Sequence, residues 1–412
     1  MGQNSFRAVA ANPEHPLWET FIQRENSLYN RNDDVRSPFA RDYTRILHSK
    51  AYRRLKHKTQ VFFNVDNDHI CTRMEHVALV DSVACTIAKF LGLNEELTKA
   101  IAIGHDLGHA PFGHQGERII SRLSEEHLGK KFWHEQNGLR FVDRIELLED
   151  SYRNKKNLNL TYAVRDGIIS HCGEVDENGL KPRKEMVDLK EFIRPNQFQP
   201  ATWEGCVVKI SDKIAYIGRD IEDAMRLGFF EKEEKNTLLR MARENDEKVL
   251  NTTVIMYNLI IDLCENSDPE RGITLSEKFT RQMDELKSFN LKYIYKHPRL
   301  GTFNRYSEMV LNEIFDQLMA CFAGKDSWEK LKAQEAFYPS LVSTFSHWLA
   351  RYADPSIVPD EDGLKELSAS CINEKIYGLL DTKEIYTQAV IDYISGMTDG
   401  FAIRVFEEFL SY

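Results

Sequence analysis

Residues 73–106 read RMEHVALVDSVACTIAKFLGLNEELTKAIAIGHD. Val80, Val83, Ala84, Ile87 and Leu91 recur at helical spacing after His76, so the first part predicts an amphipathic helix. Asn94 then reads as an N-cap, with Glu95 and Glu96 in a first turn where the helix dipole favours acids. Leu97, Ala100, Ile101 and Gly104 carry a second helix to His105. The same periodicity predicts helices over about 207–227, stopped by Gly228, and over 239–263 and 384–410. Strand signals are few, and 59–65 is the best of them. The expected fold class is all-α, with at most a short hairpin near residues 59–72.

Loops are expected at 111–116, 172–200 and 353–363, from their Gly, Pro and charge content. The expected organisation is an N-terminal arm over 1–60, a helical core over 61–230 and a helical C-terminal lobe over 231–412. The chain of 412 residues is 42% hydrophobic and 29% charged, ordinary values for a globular protein. Its net charge of -10 makes nucleic acid a poor main partner, because phosphate contacts need clustered Lys and Arg. Seven cysteines without a CxxC pair suggest reduced thiols and a cytoplasmic setting. The most apolar stretch, 254–263, is far too short to span a bilayer, and no signal peptide is visible.

The chemistry concentrates in the histidines. Seven of the 13, at 76, 105, 109, 114, 127, 134 and 171, fall in a quarter of the chain. His105 and Asp106 at a helix end can both reach a cation lying between them and the helix that opens at His76. Asp212, an acid inside the apolar segment VVKISDKIAYIGRDIEDA, is the natural fourth ligand, its plain alternative being a surface charge. Two imidazoles and two carboxylates form a site of mixed hardness that suits Mn, Mg, Fe, Co, Ni or Zn, and Mn or Mg is the expected cofactor.

The segment HDLGHAPFGHQGE follows, its glycines and proline describing a tight turn that presents His109 and His114. Glu117 stands three residues after His114, a spacing that lets a carboxylate orient an imidazole for general acid or base work. His134, in FWHEQNG, reads equally as a polar neighbour of core aromatics or as a substrate contact. Arg73 is placed to clamp a phosphate, although a basic run such as RRLKHK upstream is usually a solvated face. Asp212, Tyr216 and Asp220 recur every four residues and can line one wall of a pocket; by pattern alone a solvated face is the simpler reading.

These residues resemble the HD phosphohydrolases, whose His, His-Asp and later Asp around a metal match His76, His105, Asp106 and Asp212. More narrowly, the chain is similar to the bacterial dGTPase-like deoxynucleoside triphosphate triphosphohydrolases. The matching stretches are RSPFARDYTRILHSKAYRRLKHKTQVF, TRMEHV, HDLGHAPFGHQGE, SDKIAYIGRDIEDAMRLG and DYISGMTDGFAIRVFEEFL, in the family's order from Arg36 to Leu410. The resemblance implies a mainly helical, dimer-based tetramer or hexamer that hydrolyses dGTP or several dNTPs to deoxynucleoside and triphosphate. It implies His114 with Glu117 as the catalytic pair, His109 and His134 assisting at phosphate or in proton transfer, and Arg73 and Lys213 neutralising phosphates. Tyr216 and Asp220 would hold the sugar, with Gln60 near sugar or base.

Two departures stand out. Many relatives carry His-Asn and then Gln where this chain has His134-Glu135-Gln136-Asn137, and a second Asp where Lys213 stands. Rival readings are an HD-type 5′-nucleotidase or phosphodiesterase, and a nucleotide-sensing regulatory HD protein.

Overall fold

The computed structural model describes residues 5–27, 34–63, 67–172, 178–243 and 251–410. Among them the fold is all-α, with eighteen α-helices and a single two-stranded hairpin. The chain forms two compact units, each assembled from stretches that are not adjacent in sequence. The first comprises Met1–Ile46, Gln60–Asp106 and Leu160–Gly301; the second comprises Leu47–Thr59, Leu107–Asn159 and Thr302–Tyr412. No helix of the described residues is long and apolar enough to cross a membrane.

In the first unit, the helix Arg73–Leu91 starts at a capping box. The Thr72 side chain accepts the Glu75 N–H, and the Glu75 carboxylate accepts the Thr72 N–H at 2.7 Å. The helix stops at left-handed Gly92 and buries Val77, Val80, Val83, Ala84, Ile87 and Leu91. Asn94 caps the next helix, Glu95–Gly104, by accepting from Glu96 and Leu97. Both pack against the long helix Trp203–Arg226, which Thr202 caps and whose Val207, Val208, Ile214 and Ile217 are buried. Three apolar faces meeting in this way bring residues 76, 105 and 212 to one core. The helices Lys232–Arg243 and Thr252–Asn266 occupy the region expected to be helical over 239–263, of which 244–250 lie outside the described residues.

In the second unit, Gly113–Leu128 packs against Lys383–Ser395. Asp392 anchors this core: it takes two bonds from the Arg140 guanidinium, at 2.8 and 2.6 Å, and one from the Tyr377 hydroxyl at 2.8 Å. The C-terminal helical region is broken in two, Asp399–Glu407 following after a short bend.

The hairpin lies away from residues 59–72, where strand composition predicts it. Its strands are Leu147–Glu149 and Lys155–Asn157, paired antiparallel, with Leu147 opposite Asn157. Asp150 closes the turn by accepting the Tyr152 and Asn154 N–H groups, and Arg153 takes a left-handed conformation. Residues 59–63 and 67–72 form no ladder, Thr59 and Thr72 being single bridge positions, and 64–66 lie outside the described residues. Phe62 instead packs edge-on against Phe229 at 4.8 Å, which spends its apolar surface on a helical core. Of the loop at 172–200, residues 173–177, and with them Gly173 and Glu174 of the His171-Cys172-Gly173-Glu174 stretch, lie outside the described residues.

Candidate active site

The first unit gathers the four expected metal ligands. His76 lies in the first turn of Arg73–Leu91, His105 is the C-cap of Glu95–Gly104, and Asp212 sits midway along Trp203–Arg226. His76 Nε2 is 2.9 Å from Asp212 Oδ1, His105 Nε2 is 3.9 Å from the same oxygen, and Asp106 Oδ1 is 3.7 Å from His105 Nε2. One ligand atom from each of His76, His105 and Asp212 falls within 4.8 Å of the others. His105 Nδ1 donates to the Ala102 carbonyl at 2.6 Å, which fixes the tautomer and leaves Nε2 with its lone pair. That Nε2 is fully buried and has no hydrogen-bond partner.

A buried, unmatched imidazole lone pair facing two carboxylates is a poor structural core and a good cation site. The donor set therefore fits a divalent metal. The electrostatics agree. Burial pushes the Asp212 carboxyl up, but the hydrogen bond from His76 and the His76 charge outweigh it and hold the group well below the usual carboxylate range. Burial pulls His76 down, yet Asp212 and Asp106 carry it above its ordinary value.

The expected substrate contacts of the same unit are for the most part buried. Arg73, 1% exposed, donates from Nη1 to Asp106 Oδ2 at 2.9 Å, while its Nε and Nη2 are buried without partners. Gln60 is likewise buried with its Oε1 unmatched. Lys213 and Asp220 are buried and Tyr216 is half-buried.

Two residues outside the expected site join this set. The Tyr295 hydroxyl donates to Asp220 Oδ2 at 2.5 Å, and burial together with Asp220 keeps Tyr295 protonated far above its usual range. His171 repeats the device of His105: it caps its helix, its Nδ1 donates to the Ile168 carbonyl at 2.7 Å, and its ring meets that of His105 edge-on at 5.0 Å. A shared position, C-cap with a carbonyl three residues back, was the available signal for His171. Tyr295 had none, lying 75 residues beyond its partner.

The second unit holds the other four. The turn at 107–113 is tightly folded: Phe112 and Gly113 are both left-handed, at φ 63° and 59°. A β-carbon on Gly108 would stand 2.0 Å from the His134 carbonyl oxygen, and one on Gly116 would stand 1.8 Å from that of Pro111, so neither position admits a side chain.

Glu117 is the hub. Its Oε1 accepts the His134 backbone N–H at 2.8 Å and lies 3.1 Å from His134 Nδ1. His114 Nδ1 comes within 3.9 Å and His109 Nδ1 within 4.0 Å of Oε2, which is ion-pair range beyond hydrogen-bond reach. The His109 and His134 rings stack at 3.8 Å. Burial pushes Glu117 up, but the three imidazoles prevail and hold it well below its ordinary value. His114, 55% exposed at its side chain, is the open member of the cluster.

Comparison with known proteins follows these positions. Residues 73–217 match the HD domain family, a span that includes His76, His105, Asp106 and Asp212, and residues 273–333 match the phosphohydrolase-associated domain. Over 376 residues the chain is 33% identical to a deoxyguanosinetriphosphate triphosphohydrolase-like protein of Caldanaerobacter subterraneus subsp. tengcongensis, covering 91% of this chain and 85% of that one. A protein of the same description from Clostridium tetani is 31% identical, with 92% and 87% covered. Another from Bartonella quintana is 29% identical, with 97% and 94% covered.

Proposed function

We propose, for a chain that belongs to the deoxyguanosinetriphosphate triphosphohydrolase-like family of HD-domain phosphohydrolases, that it hydrolyses a deoxynucleoside triphosphate to deoxynucleoside and inorganic triphosphate. The observation that carries this reading is the buried, unmatched Nε2 of His105 facing Asp212, in the same unit as a buried Arg73 with two donor nitrogens to spare. His76, His105, Asp106 and Asp212 would hold a divalent cation, Mn or Mg first, which would supply charge neutralisation for a phosphate and a lowered pKa for water.

The protein's own residues do the rest by positioning and electrostatics, as phosphoryl transfer requires. The oxygen of water attacks the α-phosphorus and the bond to the sugar 5′-oxygen breaks, so that oxygen needs a proton. Glu117 orients the imidazoles that handle this proton, His114 and His134, with His109 stacked beside them. Only Leu107 and Gly108 separate Asp106 from His109 in the chain. Arg73 offers a fork of N–H donors to phosphate, and Lys213 adds charge. Tyr216 packs where a ribose 2′-hydroxyl would lie, Asp220 accepts the 3′-hydroxyl, Tyr295 holds Asp220, and Gln60 faces sugar or base. The enzyme works as a cytoplasmic homo-oligomer.

The test is product analysis. Purified protein is incubated with each dNTP and Mn2+ or Mg2+, and the phosphorus products are separated. Inorganic triphosphate is the expected product. Orthophosphate or pyrophosphate would move the protein to a nucleotidase or phosphodiesterase, and nucleotide binding without turnover under any metal would make it a regulator.

A further inference from the structure

The backbone of the turn that carries His109 and leads into His114 is bonded by two buried charged side chains from elsewhere in the second unit. The Lys58 ammonium donates to the His109 carbonyl and, at 3.0 Å, to the carbonyl of Ser395, the last residue of Lys383–Ser395. The Asp399 carboxylate accepts the Phe112 N–H on one oxygen at 2.9 Å and the Thr59 N–H on the other at 2.8 Å. Lys58 is 3% exposed and Asp399 4%. Phe112 is the left-handed N-cap of Gly113–Leu128 and makes no side-chain cap of its own, so Asp399 bonds the backbone where it is least favoured.

Asp399 is the first residue of its helix, but Thr398 caps that helix by accepting from Phe401 at 3.2 Å. Both Asp399 oxygens are therefore spent on chain more than 280 residues away. Buried charges are costly, and packing alone would be served better by apolar residues. A carboxylate with two acceptors is what two converging N–H groups require.

We propose that Lys58 and Asp399 are positioning residues for catalysis, clamping the 109–113 turn so that His109 and His114 keep the orientation the reaction needs; this rests on the hydrolase reading given above. Neither residue touches substrate. The test uses Asp399→Asn, whose amide can accept only one of the two N–H groups, and Lys58→Met, which removes the other half of the clamp. Each is compared with the wild-type chain by steady-state kinetics on dNTP and by hydrogen–deuterium exchange of the peptide spanning 107–118.

Both variants are expected to lose kcat by about 10–100-fold with KM within about threefold, because small misplacement of a reacting group costs rate before affinity. Exchange over 107–118 should rise by roughly tenfold or more, while peptides over 73–91 and 203–226 stay as in the wild type. Unchanged protection of 107–118 overturns the clamp, as does lost protection with full kcat. If Asp399→Asn fails to fold, Lys58→Met decides on the same two readouts. A wild-type chain without dNTP turnover would sink the hydrolase reading, while the exchange data would still decide whether the pair holds the turn.

Discussion

Replacing Arg73 by Met separates a functional guanidinium from a structural one. The substitution strips Asp106 of its buried cationic partner, and breaking such a pair costs about 3–5 kcal/mol. It also deletes two buried N–H donors, Nε and Nη2, that the protein leaves unmatched, each a burden of roughly 1–3 kcal/mol. The effects nearly offset, so the melting temperature of Arg73→Met should fall by no more than about 2 °C, at about 1 °C per kcal/mol for a chain of 412 residues. The deficit should shrink further with saturating Mn2+, which takes over the charge of Asp106. Affinity for inorganic triphosphate is another matter. Two charge-assisted bonds are worth about 1.5–3 kcal/mol each, which predicts a loss of roughly 100-fold or more. Calorimetric titration of Mn2+-loaded protein with triphosphate, beside thermal melts, measures both. A variant that melts about 4 °C lower or more yet binds triphosphate as well as the wild type would refute the reasoning, leaving Arg73 as an ion-pair anchor.

Glu117→Gln should lower kcat about 100-fold with Mn2+ affinity unchanged. Because the Glu117 pKa is depressed in the fold, its stabilisation is present above its ordinary value of 4.5 and lost as pH falls below it, so the wild type's melting advantage over the variant should fade in that acidic range. Tyr216→Ala should raise turnover of ribonucleotides relative to deoxynucleotides severalfold; an unchanged ratio in paired assays rejects the packing account of sugar choice. Burial raises Asp223 to about 6, against the opposing Cys71 N–H bond, so its carboxylate costs stability as pH climbs from 3.8 through 6. Asp223→Asn should therefore be more stable than the wild type at pH 8, by about 1 kcal/mol after solvent screening, and equal to it near pH 4, as thermal melts across pH will register.

Local signals were readable where chain neighbours decide the outcome. The Asn94 cap, the apolar stripe from Val80 to Leu91 and the helix around Asp212 all follow from residues within a few positions of one another. The family resemblance added the ligand set as a group. Contacts decided at long range were not readable. The spacing of His114 and Glu117 suggests a pair, but His134, 17 residues further on, takes the direct hydrogen bonds because the turn at Gly108 lets its backbone approach. The 59–65 stretch has strand composition, yet Phe62 finds Phe229 instead of a paired strand. Lys58 and Asp399 lie in stretches that match the family and Tyr295 does not, but for all three only the tertiary fold shows what they hold.

The donors assembled by three helices also set an order of events during synthesis on the ribosome. A nascent chain that has emerged only through Asp106 carries two imidazoles and one carboxylate of the centre, and the last oxygen arrives a hundred residues later with the helix Trp203–Arg226. Nascent polypeptides arrested before and after that helix should therefore differ in how tightly they retain Mn2+, with full retention only once Asp212 has cleared the exit tunnel.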